Sequence, residues 1–319
     1  MHVWSGLRDV PPGFGPSVVT LGNFDGVHRG HRAVLARIIE LAASRGAPSV
    51  AVTFDPHPVA VLHPQRAPQL ITSLDQRLSL LDATAVDAVL VLEFTDAFAQ
   101  QTPEEFVTSV FVVSLSAGAV VVGEDTRFGV HNSGDVSTLR RLGSEHGFDV
   151  VVLPGVGDGP RWSSSMVRAR LAEGDVEGAT IVLGHPHQVA GTVVHGDHRG
   201  RGLGFPTANL GEDVEGLVPA DGVYAGWLTR AGRAAGEADR SFPAAISIGT
   251  NPTFDGTRRR VEAYVLDRDD LDLYGERVVY DFVQRLRPTL KFDSVEALVE
   301  QMNADCDRCR TVLKSIVPS

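Results

Sequence analysis

The fold is decided near the start of the chain by residues 18–31, which read VVTLGNFDGVHRGH. The first four residues are apolar or β-branched and predict a buried strand. Apolar residues then recur at helical spacing from position 34 to position 42, and Gly46 is placed to end that helix. The glycine-flanked loop between them predicts an anion site, because backbone N–H groups and the positive end of a helix meet there. The imidazoles of His28 and His31 could donate hydrogen bonds to a phosphorane-like transition state, and the alternative is that both are ordinary helix-start residues.

Strand and helix patterns alternate up to about residue 153, which predicts an α/β fold with a parallel sheet. Thr102, Pro103 and Glu105 have the arrangement of a capping box and predict the start of one helix. Further helices are predicted at residues 163–171 and 176–183. The candidate strands are residues 18–21, 50–54, 88–92, 119–122 and 150–153.

The alternation stops near residues 184–187, and short β-rich pieces separated by turn residues follow. They predict an antiparallel sheet or small β-barrel, with a closing helix over residues 294–313 packed on it. We therefore expect two domains, residues 1–185 and residues 186–319. The β-rich pieces are residues 188–195, 222–229, 244–248, 261–266 and 278–283.

Composition excludes several classes of protein. A formal net charge of -11 over 319 residues argues against a nucleic-acid binder. No apolar run approaches the roughly 18 residues of a membrane span, and residues 1–17 lack a signal-peptide core, so we expect a cytoplasmic protein without a membrane partner. Lys291 and Lys314 are the only lysines. A phosphate-binding loop ending in Gly-Lys-Ser/Thr is therefore excluded.

The two cysteines, Cys306 and Cys309, have the C-x-x-C spacing of redox motifs and of half a zinc site. Both fall on an apolar stripe that begins at Val295 and continues along the closing helix. Buried free thiols on a core-facing helix are the interpretation that this position favours.

Four motifs in the first half resemble the nucleotidyltransferase domain of bacterial bifunctional riboflavin kinase/FAD synthetases. After the opening stretch come TFDPHP at residues 53–58, GEDTRFG at 123–129 and SSSMVR at 163–168. The resemblance implies a Rossmann-like nucleotidyltransferase sheet. It assigns catalysis to His28, His31 and Arg168, ATP or phosphate binding to Gly22, Asn23, Phe24, Gly30, Ser163, Ser164 and Ser165, and flavin binding to Asp55, His57, Asp125 and Phe128.

Two positions depart from the family pattern. Thr126 stands where the family has an aromatic residue, which leaves the flavin contact there open, with Phe128 as the expected replacement. Ser165 stands where the family has threonine and keeps the hydroxyl that phosphate binding needs.

Residues 191–209, GTVVHGDHRGRGLGFPTAN, resemble the riboflavin kinase domain of the same family. Residues 249–254, 261–266 and 273–275 also match it. The resemblance implies an antiparallel β-barrel kinase domain with a closing helix. It assigns ATP or phosphate binding to Gly191, Gly196, Arg201, Gly204, Pro206 and Thr207, a Mg²⁺ site to Thr207 and Asn209, and the catalytic base to Glu262.

Strand alternation supports the assignment of Glu262. Its apolar neighbours Val261 and Ala263 point to the opposite face, so the carboxylate is free to reach a hydroxyl. An exposed strand glutamate is the alternative from the residues alone. His195 and His198 have no third or fourth soft ligand nearby, and together with His185 and His187 they are expected to be solvated loop histidines and not zinc ligands.

The resemblance implies a bifunctional enzyme that phosphorylates riboflavin to FMN and adenylylates FMN to FAD. ATP is the expected co-substrate, Mg²⁺ the expected cofactor, and riboflavin, FMN and FAD the expected flavin partners. Two alternatives stay open: a single-activity adenylyltransferase with a binding-only second domain, and a non-enzymatic flavin-sensing module. The sequence also leaves open a weak or transient homo-oligomer.

Overall fold

The computed structural model describes residues 1–196, 203–234, 236–253 and 256–318. The chain forms two compact units, one of Met1–Leu70 and Leu74–Ser163 and the other of Ile71–Ser73 and Ser164–Ser319. This division is drawn from packing. The domain boundary between residues 185 and 186 stays a prediction.

The first unit is built on a six-stranded sheet in the order β1-β4-β3-β2-β5-β6, and every strand pair in it is parallel. All five predicted strands are present. The strand β1 was not predicted, because three residues are too few to show a period. The strands are β1 His2–Trp4, β2 Ser17–Leu21, β3 Ser49–Asp55, β4 Ala88–Glu93, β5 Ala117–Gly123 and β6 Asp149–Leu153.

Helices cover both faces of this sheet. The helix α1 buries Leu35, Ile38 and Ala42 and ends at Gly46, which has φ 60° in the left-handed region. The helix α5 begins with the predicted capping box of Thr102 and Glu105 and continues into a π-helical segment, Val107–Ser114. The helices are α1 Arg29–Arg45, α2 Pro58–Leu62, α3 Leu74–Asp82, α4 Asp96–Ala99, α5 Pro103–Phe106 and α6 Val136–His146.

The sheet order places a topological switch point beside β2. The strands β3, β4 and β1 lie to one side of it and β5 and β6 to the other, so the loops after β2 and β5 lead away in opposite directions. Parallel sheets bind ligands in the crevice at the carboxyl ends of their strands at such a point. The loop after β2 is the one that the opening sequence singles out.

The second unit is a closed barrel in the order β10-β11-β8-β7-β12-β9, with antiparallel neighbours throughout. The predicted β-rich pieces are all strands of it. The strand β8 was not predicted, since four residues after a glycine-rich stretch give little pattern. Two helices precede the barrel, α7 Ser164–Glu173 and α8 Val176–Leu183, and the strands are β7 His187–Val194, β8 Thr207–Leu210, β9 Gly222–Arg230, β10 Ser241–Thr253, β11 Gly256–Val265 and β12 Arg277–Arg287.

The closing helix α9, Val295–Leu313, packs on the barrel through Cys306, Cys309 and Leu313. Ser294 caps it by accepting a hydrogen bond from the backbone N–H of Ala297 at 3.1 Å. Both cysteines are free and buried, as predicted, and burial raises their pKa values to about 11 and about 12. Val295 is 55% exposed, so its predicted place in the buried stripe is wrong. Within the described ranges no helix is both long and apolar enough to cross a membrane.

His187 is a buried strand residue and not the solvated loop histidine that the sequence suggests. It lies in β7, stacks against Phe282 and donates from Nε2 to the carbonyl of Leu217 at 2.6 Å. Burial lowers its pKa from 6.5 to about 4. This burial could not be predicted from the sequence, because the carbonyl that His187 binds lies 30 residues further along the chain.

We predict that the second unit loses stability in acid through His187. The unfolded chain takes up a proton at the ordinary histidine pKa of 6.5 and the folded barrel only near pH 4, so stability is complete above 6.5 and falls below it. This difference corresponds to about 3 kcal/mol. Urea unfolding of the native protein and of His187→Gln, whose amide can still donate to Leu217, should give a weaker pH dependence for the variant. Identical pH dependence in the two proteins would contradict the assignment.

Candidate functional site

The loop between β2 and α1 has an unusual backbone. Phe24, Gly26 and Val27 all have positive φ, at 50°, 79° and 38°. Glycine adopts such angles freely, but Phe24 and Val27 pay for them in steric strain, and a β-branched residue does so most. Both side chains are buried under the sheet edge. Packing therefore holds the loop in a shape that leads its backbone into the N-terminus of α1.

At two glycines of this segment a side chain would come too close to a neighbouring ring. A Cβ at Gly22 would lie 3.2 Å from the ring of Phe24, and a Cβ at Gly30 would lie 3.0 Å from Cε1 of His28. These contacts are tighter than ordinary packing. Gly22 and Gly30, which the sequence singled out, therefore lie where the backbone closely approaches the rings of Phe24 and His28.

His28 caps α1, and its Nδ1 accepts a hydrogen bond from the backbone N–H of His31 at 3.3 Å. The two imidazoles stack with ring centroids 3.6 Å apart and planes at 18°. Because Nδ1 of His28 is an acceptor, the proton of the neutral ring lies on Nε2, which is left to donate. His31 has a buried Nδ1 that meets no hydrogen-bond partner among the described residues.

The surroundings of both histidines favour the neutral imidazole. Burial, followed by the charge of Arg161, lowers the pKa of His28 from 6.5 to about 4. Burial lowers the pKa of His31 well below 6.5, and His28, Arg161 and Arg77 act in the same direction. A pair of neutral imidazoles beside a helix N-terminus can donate hydrogen bonds to an anion without first repelling each other.

Arg77 is a residue of this site that the sequence analysis did not identify. It comes from α3, is 1% exposed, and donates from Nη1 to the carbonyls of Asn23 and Phe54 at 3.1 and 2.9 Å. An arginine within a helical pattern gives no sequence signal of burial, because arginine is almost always placed at the surface.

The predicted flavin residues lie at or after the ends of β3 and β5, the two strands that flank β2. Asp55 ends β3, and His57 caps α2 through Nδ1, which accepts from the backbone N–H of Val59 at 3.2 Å. Asp125 follows β5 and forms an ion pair with Arg161 at 2.7 Å. Phe128 is 7% exposed, and its ring packs on Phe106 in the core. Little of that ring is therefore available to a flavin in this conformation.

The serine-rich motif spans the division between the two units. Ser163 ends the first unit, whereas Ser164, Ser165 and Arg168 lie in α7 of the second. Ser165 is exposed and Arg168 is partly exposed. Their role at the histidine loop stays a prediction.

The barrel brings together the three polar residues predicted for the second site. Glu262 and Asn209 face each other across the β11–β8 pair. The Thr207 hydroxyl donates to Oε2 of Glu262 at 3.4 Å, and Nδ2 of Asn209 donates to Oγ1 of Thr207 at 3.1 Å. The three side chains thus form one hydrogen-bonded chain that ends on a carboxylate.

The hydrogen-bonded side chains of Glu262, Thr207 and Asn209 lie on the outer face of the barrel. Val261 and Ala263 are buried on the other face of β11, as the alternation predicts. Tyr264, on the same face as Glu262, belongs to the cluster beneath α9. Glu262 is partly exposed and can therefore meet a substrate from outside the barrel.

The glycines predicted for this site differ in what they do. A Cβ at Gly196 would lie 2.7 Å from Nδ2 of Asn209, so the glycine allows the amide to approach the chain. Gly204 has φ 85° and requires glycine for its backbone, and Pro206 directly precedes the site residue Thr207. Gly191 lies inside β7 against Leu210 and is not brought to the carboxylate. Arg201 falls outside the described residues.

The donor set at this site suits Mg²⁺. Hydroxyl, amide and carboxylate oxygens are the ligands that hard cations prefer, and Mg²⁺ bound with a nucleotide uses only one or two protein ligands beside phosphate and water. The side-chain N–H₂ of Asn209 donates to the carbonyl and the hydroxyl of Thr207, and its side-chain carbonyl oxygen Oδ1 is the atom that can accept or bind a cation. Among the described residues no group of three or more His, Cys, Asp or Glu could hold a metal, and His195 instead packs against the ring of Tyr274 at 3.8 Å.

Comparison with known proteins identifies both units. A family model described as FAD synthetase matches residues 12–166, and one described as riboflavin kinase matches residues 183–313. A bifunctional riboflavin kinase/FMN adenylyltransferase of Escherichia coli is 37% identical over 289 residues, which is 90% of each chain. Its counterpart from Pseudomonas fluorescens is 37% identical over 314 residues, 98% of each chain. A crystal structure from Streptococcus pneumoniae, described as a macrolide-efflux protein, matches with a TM-score of 0.85 and 32% identity over 97% of this chain and 98% of that one.

A parallel-sheet nucleotidyltransferase joined to a riboflavin kinase barrel is the class that the two folds and the two matched regions define. The similarity to the two bifunctional relatives, at 37% identity, extends over 90% and 98% of this chain and of each relative. The chain belongs to the bifunctional riboflavin kinase/FMN adenylyltransferase family.

We predict that His28 stays neutral, with its proton on Nε2, across the physiological pH range. A ¹⁵N NMR titration of histidine-labelled protein, with His28→Ala to assign the signal, should show protonation only near pH 4. Burial and the nearby Arg161 are the cause. A midpoint at the ordinary histidine value of 6.5, or a proton on Nδ1, would contradict the geometry.

Proposed function

We propose that this chain makes FAD in two ATP-dependent steps. The second unit transfers the γ-phosphoryl group of ATP to riboflavin and gives FMN, and the first unit transfers AMP from ATP to FMN and gives FAD. The proposal depends on one observation, which is that the chain carries two sites of different chemistry. The first is a stacked histidine pair at a helix N-terminus, and the second is a carboxylate that accepts a hydrogen bond from a threonine hydroxyl. Each site suits one of the two steps.

In the adenylyl-transfer step, an oxygen of the FMN phosphate attacks the α-phosphorus of ATP. The new P–O bond forms while the bond to the bridging oxygen breaks, and pyrophosphate leaves. Negative charge shifts onto the oxygens of the α-phosphate during this exchange. That charge is stabilised by the Nε2–H of His28, by a donor from His31 and by backbone N–H groups of residues 22–30, and the position of His28 at the start of α1 supports this role.

The remaining predicted residues of this step act on the two substrates. Ser163, Ser164, Ser165 and Arg168 hold the β- and γ-phosphates, since hydroxyls and a guanidinium are suited to phosphate oxygens. The flavin lies against Asp55, His57 and Asp125 at the strand ends, and Phe128 contributes to the flavin site only if its ring leaves the core packing described above.

In the kinase step, Glu262 accepts the proton of the riboflavin 5′-hydroxyl as the oxygen attacks the γ-phosphorus, and ADP leaves. The hydrogen bond from Thr207 orients the carboxylate. Thr207 and Asn209 would hold Mg²⁺, which offsets the charge of the phosphates when bound. The backbone beside the phosphates is shaped by Gly196, Gly204 and Pro206. Gly191 and Arg201 belong to the same predicted phosphate-binding set, with Gly191 lying further back in β7.

The partners of the proposal are small molecules: riboflavin, FMN, FAD and ATP. We place the reactions in the cytoplasm, where ATP is supplied. A weak or transient homo-oligomer is compatible with the proposal but not required by it, because each site is composed within one chain.

Incubation of the protein with riboflavin and Mg-ATP, followed by chromatography for FMN, FAD, ADP and pyrophosphate, tests the proposal. All four products are expected. Supplying FMN in place of riboflavin should give FAD and pyrophosphate without ADP. Formation of FAD from FMN without any FMN from riboflavin would leave a single-activity adenylyltransferase, and binding of flavin without consumption of ATP would leave a sensing module.

We predict that Glu262→Gln abolishes FMN formation and leaves FAD formation from supplied FMN intact. The amide cannot accept the hydroxyl proton but fills the same space and can still accept from Thr207. The matched control is Glu215→Gln, which loses an ion pair with Arg277 elsewhere in the same unit and should keep both activities. Equal loss of both activities in a folded Glu262→Gln protein would refute the assignment.

We predict that His28→Ala and His31→Ala each lower kcat for FAD formation by roughly 10²-fold or more, with a smaller change in ATP affinity. The lost donors act mainly on charge that develops during attack. Arg168→Ala should instead weaken ATP and pyrophosphate binding more evenly, because the outer phosphates are charged throughout.

His146→Ala provides the control for the histidine variants, since it removes an exposed imidazole at the end of α6 in the same unit. Kinase activity of every variant reports whether the preparation is intact. Histidine variants that lose only ATP affinity would show that the transition-state role is wrong.

A further inference from the structure

A buried arginine ties together the ends of two strands beneath the histidine loop. Nη1 of Arg77 donates to the carbonyl of Asn23 after β2, and to the carbonyl of Phe54 and the hydroxyl of Thr53 in β3, at 3.1, 2.9 and 3.2 Å. The Thr53 hydroxyl donates in turn to the same Asn23 carbonyl at 3.1 Å. Two donors from two different elements therefore fix one carbonyl.

That carbonyl directly precedes the strained part of the loop. Phe24 follows Asn23 and has φ 50°, and Val27 has φ 38°. Strained backbone of this kind persists only where the surroundings over-determine it. The contacts of Arg77 and Thr53 supply such a constraint at the point where the chain leaves the sheet.

The position of Arg77 is costly for stability. Taking a guanidinium out of water is expensive unless it is fully hydrogen-bonded and paired. The acidic groups that face it are the buried Asp25 and, with a smaller effect, Asp55, whose Oδ1 lies 3.8 Å from Nη2. Nε and Nη2 meet no hydrogen-bond partner within the ranges that the structure describes. A leucine or methionine would fill the space at lower cost, so stability alone does not account for the residue.

Arg77 also acts on the second histidine of the pair. The charged or titratable groups that face His31 are His28 beside it, Arg161 after β6 and Arg77 from α3, and all three oppose a positive charge on its ring. Removal of the Arg77 charge therefore raises the pKa of His31 toward its ordinary value.

We propose that Arg77 is a positioning residue of the adenylyl-transfer site, which fixes the Asn23 carbonyl and with it the loop of residues 22–28 that receives the α-phosphate. This inference rests on the proposed adenylyl transfer. The charge of Arg77 adds a smaller effect, since together with burial, His28 and Arg161 it favours the neutral form of His31, which donates a hydrogen bond and still has a lone pair.

Three variants separate the two effects. Arg77→Lys keeps the charge and loses the fork that reaches several acceptors at once. Thr53→Val removes the second donor to Asn23 without touching any charge. Arg77→Met removes both the hydrogen bonds and the charge. Leu142→Ala is the control for lost packing, because this fully buried leucine of α6 belongs to a different core cluster from Phe24 and Val27, so its loss destabilises the first unit without opening a cavity in the cluster that holds the loop.

The readouts are kcat and KM for FAD formation from FMN, the pH profile of that kcat, the melting temperature, and kinase activity of the same preparation. We expect Arg77→Lys and Thr53→Val to lower kcat by roughly 10-fold to 10²-fold with a smaller change in KM, as for a misplaced reacting group. Arg77→Met should in addition move the acidic limb of the profile to higher pH. Leu142→Ala should lower the melting temperature and leave kcat unchanged below it.

The proposal is overturned if Arg77→Lys and Thr53→Val keep the kcat of the native protein, or if they lower only the melting temperature, as expected for Leu142→Ala. If Arg77→Met does not fold, Arg77→Lys and Thr53→Val still test whether the contacts to the Asn23 carbonyl matter for kcat. The effect of the charge on His31 is then tested by the pH profile of Arg77→Lys, which is expected to match that of the native protein. Absence of FAD formation by the native protein would refute the proposed function itself, which is a different result from a native rate in the variants.

Discussion

Two residues with full side chains, Phe24 and Val27, are held in left-handed backbone conformations, and the first site depends on that constraint. The strain is offset by the burial of both side chains and by the two donors that fix the Asn23 carbonyl. Relaxation of the loop would move the start of α1, and with it the ring of His28 that caps the helix. The parallel sheet contributes by bringing the ends of β2, β3 and β5 to one edge, where strand-end residues can meet a single ligand.

The two sites use different chemistry for a physical reason. Adenylyl transfer needs no base, because the attacking FMN phosphate is already an anion, and in the proposed mechanism neutral donors suffice around the attacked phosphate. Phosphoryl transfer to riboflavin needs a base, because the nucleophile is a hydroxyl that carries a proton. The barrel supplies a carboxylate whose orientation is fixed by Thr207 and, through Thr207, by Asn209.

Regular elements could be predicted from the sequence wherever one local pattern determines them. The capping box at Thr102, the αL end of α1 at Gly46 and the buried thiols of α9 all follow from residues within a few positions of each other. The placement of Glu262 opposite Val261 and Ala263 follows from strand alternation in the same way. The candidate site residues were taken from the resemblance of the motifs to the family, and their roles stay predictions.

The sequence could not reveal features that depend on distant contacts. The buried Arg77 donates to Asn23, which follows β2, and to Thr53 and Phe54 in β3, and the buried His187 donates to the carbonyl of Leu217. The partial exposure of Val295 and the core packing of Phe128 likewise depend on what lies beside them in three dimensions. Short strands such as β1 and β8 are missed because their pairing partner, not their own pattern, makes them strands.

The central claim is that one chain cleaves ATP at two different bonds, at the γ-phosphorus in the barrel and at the α-phosphorus beside the histidine pair. ATP labelled with ³²P at either position, incubated with the protein and riboflavin, tests this directly. The account predicts that the γ label appears in FMN and is retained in FAD, whereas the α label enters FAD alone and never FMN. An α label that stays entirely in unreacted nucleotide and ADP, or a γ label released as inorganic phosphate without entering flavin, would contradict the account.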